Sequence, residues 1–431
     1  MLNGKKLLIL GCTVSEFQII DAAREMGVYT IVTDNHVDWT QAPAKYQADE
    51  AWDISWSDVS ALKERAIASG VDGVMAGYSE RRIEYAIKLS RELNKPFYVQ
   101  DERILYKTFN KQLFKNICRE YSVPVTRDYY VDGAGIEVSG QTIEYPVVVK
   151  PLDNGGSRGI RTCWNVRELE QGIKYALSFS QMENVIVEEL IRNAQEVVVY
   201  YTISDGEVAL SAMCDKFERK TSEGFNSLPD VYMYPSLHTR EFIEKHNADV
   251  ISTLKSMEMR EGSANLQGFY VPGRGFVFFE MDFRPGGTNT YHFTDYFSGE
   301  NYLKMLIKYS LTGDPGKENI ERADPLFAGK YGCIFTLLSK DGVISQMGGE
   351  EAIKNKPNVL YTCFYHSIGT KIEVNGSQFP KTFRAYIVGD NMNEIKKTIL
   401  EIQQTVYVKD EFGENMLFTP FDVDKLDVYQ K

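Results

Sequence analysis

The stretch FVFFEMDFRPGG, residues 276–287, decides how the rest of the chain is read. A run rich in phenylalanine ends in Glu280, Asp282 and Arg284, then breaks at Pro285, Gly286 and Gly287. Just upstream, NLQGFYVPGRG (265–275) is another strand-like run closed by a PGRG turn, so the two runs predict a β-hairpin. Pairing Val271 with Phe276 sets Gln267 opposite Glu280 and Asn265 opposite Asp282, all on one face. The alternation sends Val277, Phe279, Met281 and Phe283 to a core and Phe276, Phe278, Glu280 and Asp282 to the other side. Two carboxylates two residues apart suit a hard cation such as Mg2+, which takes oxygen ligands and keeps phosphate oxygens in its sphere. An exposed acidic strand end would show the same pair. Arg284 tips the reading, because a guanidinium fork beside a metal serves a phosphoryl group in transfer.

Further upstream, VVVKPLDNGGSRGI (147–160) ends a buried strand in Lys150 and opens a loop of Asn154, Gly155, Gly156, Ser157, Arg158 and Gly159. One ammonium and many unhindered backbone N–H groups suit a loop that covers phosphates. It is not a Walker A loop, since GxxxxGK[ST] is absent. VIVEEL (185–190) supplies Glu188 and Glu189 beside backbone groups able to read an adenine edge, and Glu196 follows at a position suited to ribose hydroxyls. Lys111 opens a helical pattern that leads to Pro124.

At 431 residues the chain exceeds one ordinary hydrophobic core, so two or three domains are expected. Its 43% hydrophobic and 25% charged content is that of a globular protein, and a net charge of -12 argues against non-specific nucleic-acid binding. No run reaches membrane-spanning length, and the six cysteines form no CxxC pair, which predicts neither zinc nor a disulfide framework and fits a reduced cytoplasm. In the first hundred residues, KLLILG, YTIVTD, VDGVMAGYS and PFYV alternate with amphipathic segments, the pattern of βα units around a parallel, Rossmann-like sheet. The first turn, GCTVSEF, lacks the GxGxxG of a dinucleotide site. NVRELEQGIKYALSFS reads as a helix opened by an Asn cap, and composition turns polar at TGDPGKEN, placing a boundary near 316.

Taken in order, Lys111, Lys150 with its glycine-rich loop, Glu188-Glu189-Leu190, Glu196, Lys216 and Glu280-Met-Asp282-Phe-Arg284-Pro-Gly-Gly resemble the ATP-grasp superfamily, of carbamoyl-phosphate-synthase-like and carboxylate–amine ligase type. The resemblance covers about residues 1–312 and implies an α/β and α+β multidomain protein. It divides into a Rossmann-like pre-ATP-grasp domain (1–105), a two-part ATP-grasp domain (106–315, lid about 125–187) and a small α+β C-terminal domain (316–431). By position, Lys111, Lys150 and the loop from Asn154 to Gly159 would contact ATP phosphates, Glu188, Glu189 and Leu190 the adenine, and Glu196 the ribose. Lys216 would reach the phosphates or the acyl phosphate, Glu280 would bridge two Mg2+ ions, with Mn2+ as a substitute, and Arg284 would stabilise the transferring phosphoryl group. Two departures stand out: the usual Glu-x-Asn is Glu280-Met281-Asp282, and the acidic ligand expected upstream is Gln267. The hairpin register sets the two changes side by side, so one carboxylate has crossed the site.

The implied chemistry activates a small, amino-acid-like carboxylate as an acyl phosphate with release of ADP, followed by attack of an amine. It needs positioning and charge neutralisation rather than a nucleophilic side chain. A bicarbonate-activating enzyme and an ATP-binding protein without turnover are the rival readings. Residues 215–240 and 288–301 mix aromatics with Arg, His and Asp, making His238 and His292 candidates to touch substrate, and Arg219 and Arg158 are candidates to hold its carboxylate. Superfamily habit suggests a homodimer.

Overall fold

The computed structural model describes residues 2–129, 142–152, 159–180, 184–219, 228–316, 318–374 and 380–430. Four strands, β1 (Lys6–Leu10), β2 (Tyr29–Thr33), β3 (Glu50–Trp52) and β4 (Gly73–Met75), form a parallel sheet of order β3-β2-β1-β4. Helices Phe17–Glu25 and Val59–Ser69 supply crossovers, as the alternation predicts, and Glu80–Glu92 follows β4. Two details differ from the sequence reading. Glu50–Trp52 is a strand inside a stretch that reads as polar loop, and Pro96–Val99 is not a strand. That segment is held by side chains instead: Tyr98 donates its hydroxyl to the Ala76 carbonyl at 3.1 Å and packs edge-on against Phe283.

A second sheet, order β5-β8-β6-β7, comprises β5 (Asp128–Tyr129), β6 (Val147–Pro151), β7 (Arg161–Cys163) and β8 (Val185–Glu189), backed by the helix Val166–Leu177. Asn165 caps that helix, accepting from the Glu168 amide at 3.0 Å. The main sheet has eight antiparallel strands, which include β9 (Gln195–Ser204), β10 (Glu207–Arg219), β11 (Leu228–Tyr234), β12 (Gly262–Val271), β13 (Gly275–Phe283) and β14 (Tyr331–Leu338). The small pieces β15 (Gly342–Val343), β16 (Gln346–Gly348), β18 (Lys371–Ile372) and β20 (Tyr407–Lys409) pair outside it, while β17 (Val359–Phe364) and β19 (Lys381–Gly389) complete it. Its order is β13-β12-β9-β10-β11-β14-β19-β17. The boundary expected near 316 therefore falls within one continuous sheet, because β14 pairs with β11. Two cores lie along one side of that sheet: Val197, Val199, Leu266, Met281 and Phe283 pack with the parallel layer, and Val231, Met233 and Phe335 pack with Ile395 and Ile399 of the helix Met392–Thr405. Among the described residues no helix is long and apolar enough to cross a membrane.

The β12–β13 hairpin corrects one expectation. Val271 pairs with Gly275 and Tyr270 with Phe276, one residue away from the predicted register. A bulge at Phe279 absorbs the difference, so Gln267 still faces Glu280 and Asn265 faces Asp282. The bulge also reverses the faces nearer the turn: Phe276 and Phe278 join the core with Met281 and Phe283, rather than pointing with the carboxylates. Gly268 allows this, since a Cβ there would lie 2.6 Å from both Phe278 Cδ1 and the Val277 carbonyl oxygen.

Candidate active site

Residues that pair directly across a sheet share a face, and the pairings Gln267–Glu280, Asn265–Asp282, Gln267–Val198, Phe269–Glu196, Glu196–Lys216 and Lys216–Tyr232 put the polar residues of five strands on the side opposite Met281 and Phe283. At one edge, Gln267 donates its amide N–H to Glu280 at 3.0 Å and Asn265 donates to Asp282 at 3.0 Å. Arg284 stands 3.3 Å from Asp282 and bonds Glu80, which opens the helix after β4, so the parallel layer reaches the end of β13 directly. Burial pushes the Asp282 carboxyl up to about 7; Arg284 opposes the shift, while Glu280 and Glu80 add to it.

The helix Lys111–Glu120 joins the two sheets. Asn110 caps it, accepting from the Leu113 amide at 3.0 Å, and this aims the first two turns at the site. Lys111 lies 3.6 Å from Glu280, and Lys115, one turn further on, is ion-paired with Glu188 on β8. Glu188 also holds Lys150 at 2.5 Å, and Lys150 sits 4.7 Å above the Phe279 ring. Burial alone would raise the Glu188 carboxyl, but Lys150 and Lys115 override it and hold it down to about 2. Lys115, fully buried, is lowered by desolvation to about 8 despite Glu188. Glu189 turns the other way: Arg274, in the β12–β13 turn, grips it with two hydrogen bonds of 2.9 and 2.7 Å, and the Arg127 amide adds a third. This clamp and the 2.9–3.0 Å backbone bonds between Pro124–Thr126 and Phe278 fix the small sheet over β13.

Glu196 and Lys216 are ion-paired neighbours, with Glu218 3.1 Å from the same ammonium. Burial and Glu218 push Glu196 up to about 7 against the pull of Lys216, and the two carboxylates raise Lys216 although its own burial works downward. Rings of Phe269 and Phe279, 5.2 Å apart, floor the space from Glu196 to Lys150.

Of the residues singled out in sequence, the structure thus brings together Lys111, Lys150, Glu188, Glu196, Lys216, Gln267, Glu280, Asp282 and Arg284. Leu190 follows β8 directly, with its amide 3.3 Å from the Pro146 carbonyl, and Gly159 lies beside Pro151 with φ of +79°. Asn154, Gly155, Gly156, Ser157 and Arg158 lie outside the described residues. Three further candidates sit elsewhere. His238 stacks on Tyr270, 3.5 Å away on the core side of the sheet. His292 is half-buried with its Nε2 2.7 Å from Gln18 Oε1, and desolvation lowers it to about 3. Arg219 is tied to Asp230 and Thr419. Sequence reasoning missed Lys115, whose signal is its i+4 spacing from Lys111, and Glu80, which had no local signal.

The donor set at the β13 end is all oxygen: Glu280, Asp282 and the Gln267 amide. The neighbouring Asn265 Oδ1 is buried without a hydrogen-bond partner and lies where a Cβ on Gly286 would come within 2.9 Å. Such a set fits a hard divalent cation.

Residues 132–302 match the family model described as D-ala D-ala ligase C-terminus. In sequence and in fold the chain is thus similar to ATP-grasp ligases. More particularly, it is similar to the formate-dependent phosphoribosylglycinamide formyltransferase of Sulfurisphaera tokodaii, with 25% identity over 66% of this chain and 71% of that protein. Among solved structures, the biotin carboxylase domain of Hydrogenobacter thermophilus 2-oxoglutarate carboxylase, a dimer in complex with MgADP and bicarbonate, aligns with a TM-score of 0.77 at 18% identity, over 96% of this chain and 91% of that one. The L-amino acid ligase of Bacillus licheniformis aligns with a TM-score of 0.74 at 15% identity, over 95% and 100%. These two likenesses establish the fold.

Proposed function

We propose that this protein is an ATP-dependent, ADP-forming carboxylate–amine ligase that activates a small, amino-acid-like carboxylate through an acyl phosphate. The observation that carries the reading is the gathering of Lys111, Lys150, Lys216 and Arg284, from separate elements, around one face that also bears Glu280 and Asp282. ATP with Mg2+ would supply the phosphoryl group that makes the carboxylate oxygen a leaving group. Glu280, Asp282 and Gln267 would hold two metal ions. Lys111 and Lys150 would neutralise phosphate charge, and Glu196 would accept hydrogen bonds from the ribose hydroxyls. Glu188 is engaged by two lysines, so adenine recognition would fall to backbone groups of Glu189 and Leu190. Lys216 and Arg284 would stabilise the charge passing between the two oxygens. A homodimer belongs to the same reading, on the precedent of the Hydrogenobacter domain.

ADP release from Mg-ATP tests this against a panel of amino acids and small carboxylates, each with and without amines, with Glu280→Ala as blank. Turnover that requires one carboxylate and one amine, and vanishes in the variant, is the expected result. Turnover with bicarbonate alone would move the protein to carboxyphosphate chemistry, and ATP binding without turnover across the panel counts against catalysis.

A further inference from the structure

The cations of the site described above are matched by carboxylates: Arg284 by Glu80 and Asp282, Lys216 by Glu196 and Glu218, Lys111 by Glu280, Lys150 and Lys115 by Glu188. Two cations nearby are not. Arg384, on β19, is buried, and its guanidinium donates to the Gly287 carbonyl at 2.7 Å and to Thr336 Oγ1 at 3.3 Å. Lys381, three residues earlier, is half-buried with its ammonium 3.8 Å above the Tyr365 ring, a ring that Arg384 also faces at 5.8 Å. Among the described residues neither has a carboxylate partner, and the preceding NGSQF (375–379) contains no acid. Buried charge without a counter-charge is costly, and aromatic faces and neutral acceptors repay only part of that cost. An anion arriving from outside would supply the missing counter-charge.

Position says which anion. Arg384 pairs across the sheet with Thr336, on the same face as Tyr232 and Lys216. At about 4.8 Å per strand, the three steps from β10 to β19 separate Arg384 from Lys216 by about 14 Å along the sheet. The guanidinium reaches back over Tyr232, 5.8 Å from its ring, to the Gly286–Gly287 turn, while Lys381 stays on the far side. A molecule lying on this turn would present its reacting carboxylate to Arg284 and Lys216 and its other end to Arg384 and Lys381. The hydroxyl of Tyr78, in the loop after β4, is buried without a hydrogen-bond partner. Burial and the Arg384 charge lower the Lys381 pKa well below its ordinary value, a shift that an arriving anion would oppose.

We propose that Arg384 and Lys381, with Tyr365 and Tyr232, form a subsite for a second anionic group, carboxylate or phosphate, on the substrate whose other carboxylate is activated. The substrate is then a dianion. The direction of that second group rests on the ligase reading; the anion site itself does not.

The test is anion binding by the full chain, followed by calorimetry with and without saturating MgADP. Succinate and inorganic phosphate separate the two sources of the anion, with acetate as the single-charge control. Binding of succinate or phosphate well above acetate is expected. Arg384→Gln and Lys381→Met should each weaken it about tenfold or more, Arg384→Lys should retain part of it, and MgADP affinity should stay unchanged in all three. Lys381 is half-buried, so its variant gives a folded protein even where Arg384→Gln does not. Wild-type protein that binds MgADP but neither dianion, or variants that bind them as wild type does, would overturn the subsite. Failure to bind MgADP would count against the ligase reading instead, while the nucleotide-free titration would still decide the subsite.

Discussion

Glu188 is the residue on which the adenine-side expectation and the geometry differ most usefully. Its carboxylate is 2% exposed and holds two ammonium groups, one of which, Lys115, is itself 0% exposed. Removing one partner of a buried pair leaves charge stranded, so Glu188→Gln is expected to cost about 3 kcal/mol in urea unfolding. Lys150→Met, at the more exposed partner, should cost much less stability but weaken ATP binding; equal stability losses for the two would contradict this division. Gln267 makes a second argument at this scale. Its amide donates to Glu280, so Gln267→Glu exchanges a hydrogen bond for like charges at the 3.0 Å contact. The variant should melt below wild type without metal and recover more on adding Mg2+ with ADP. A Mg2+ response identical to wild type would remove Gln267 from the metal site. The sequence made these acids and lysines legible because each ends a strand or opens a helix beside a recognisable loop. Arg384 was not, since its significance lies in groups far away along the chain, and Lys115 offered only its i+4 spacing from Lys111.

Strand alternation placed Glu280 opposite Gln267, yet it could not reveal the extra residue at Phe279, because periodicity has no way to count an insertion that pairing later absorbs. Gly268 bears that burden. Gly268→Ala would drive a Cβ against the Val277 carbonyl and Phe278, and about 2 kcal/mol of stability should be lost as the bulge shifts. Because the shift would carry Glu280 with it, ADP formation should fall further than stability at temperatures where the variant remains folded. Full activity in a stable Gly268→Ala protein would show the bulge to be incidental. The β9–β10 hairpin holds a different element-scale device. Glu300, fully buried, accepts hydrogen bonds from Thr202 and Ser211, and burial pushes its carboxyl up to about 7. A raised carboxyl favours the fold while protonated, so its contribution is complete below its unfolded value of about 4.3 and is lost as pH rises through 7. Wild type should lose about 1–3 kcal/mol more than Glu300→Gln between pH 5 and pH 8 in urea titrations. Parallel losses would rule out Glu300 as the source.

At the scale of the whole molecule, the C-terminal 115 or so residues carry no chemical motif, yet the sheet runs through them without a break. Long-range pairing has no local signature, which is why composition alone drew a boundary near 316. Across that line, β14 bonds β11 on one side and β19 on the other, and Val231 and Met233 of β11 pack with Ile395 and Ile399. Tyr429, near the end of the chain, donates its hydroxyl to buried Asp215, the residue before Lys216. A chain cut after residue 315 would thus expose the edge of β11, an apolar face and an under-bonded buried carboxylate together, a combination that invites edge-to-edge association. Residues 1–315 expressed alone should aggregate or fail to bind ATP, and co-expression with 316–431 should restore soluble protein. A soluble, monomeric 1–315 fragment that binds ATP as the full chain does would show that the sheet merely abuts at β11 and β14. The same comparison bears on Arg384, since a substrate subsite on β19 requires the C-terminal strands to be part of the catalytic sheet rather than an appended lid.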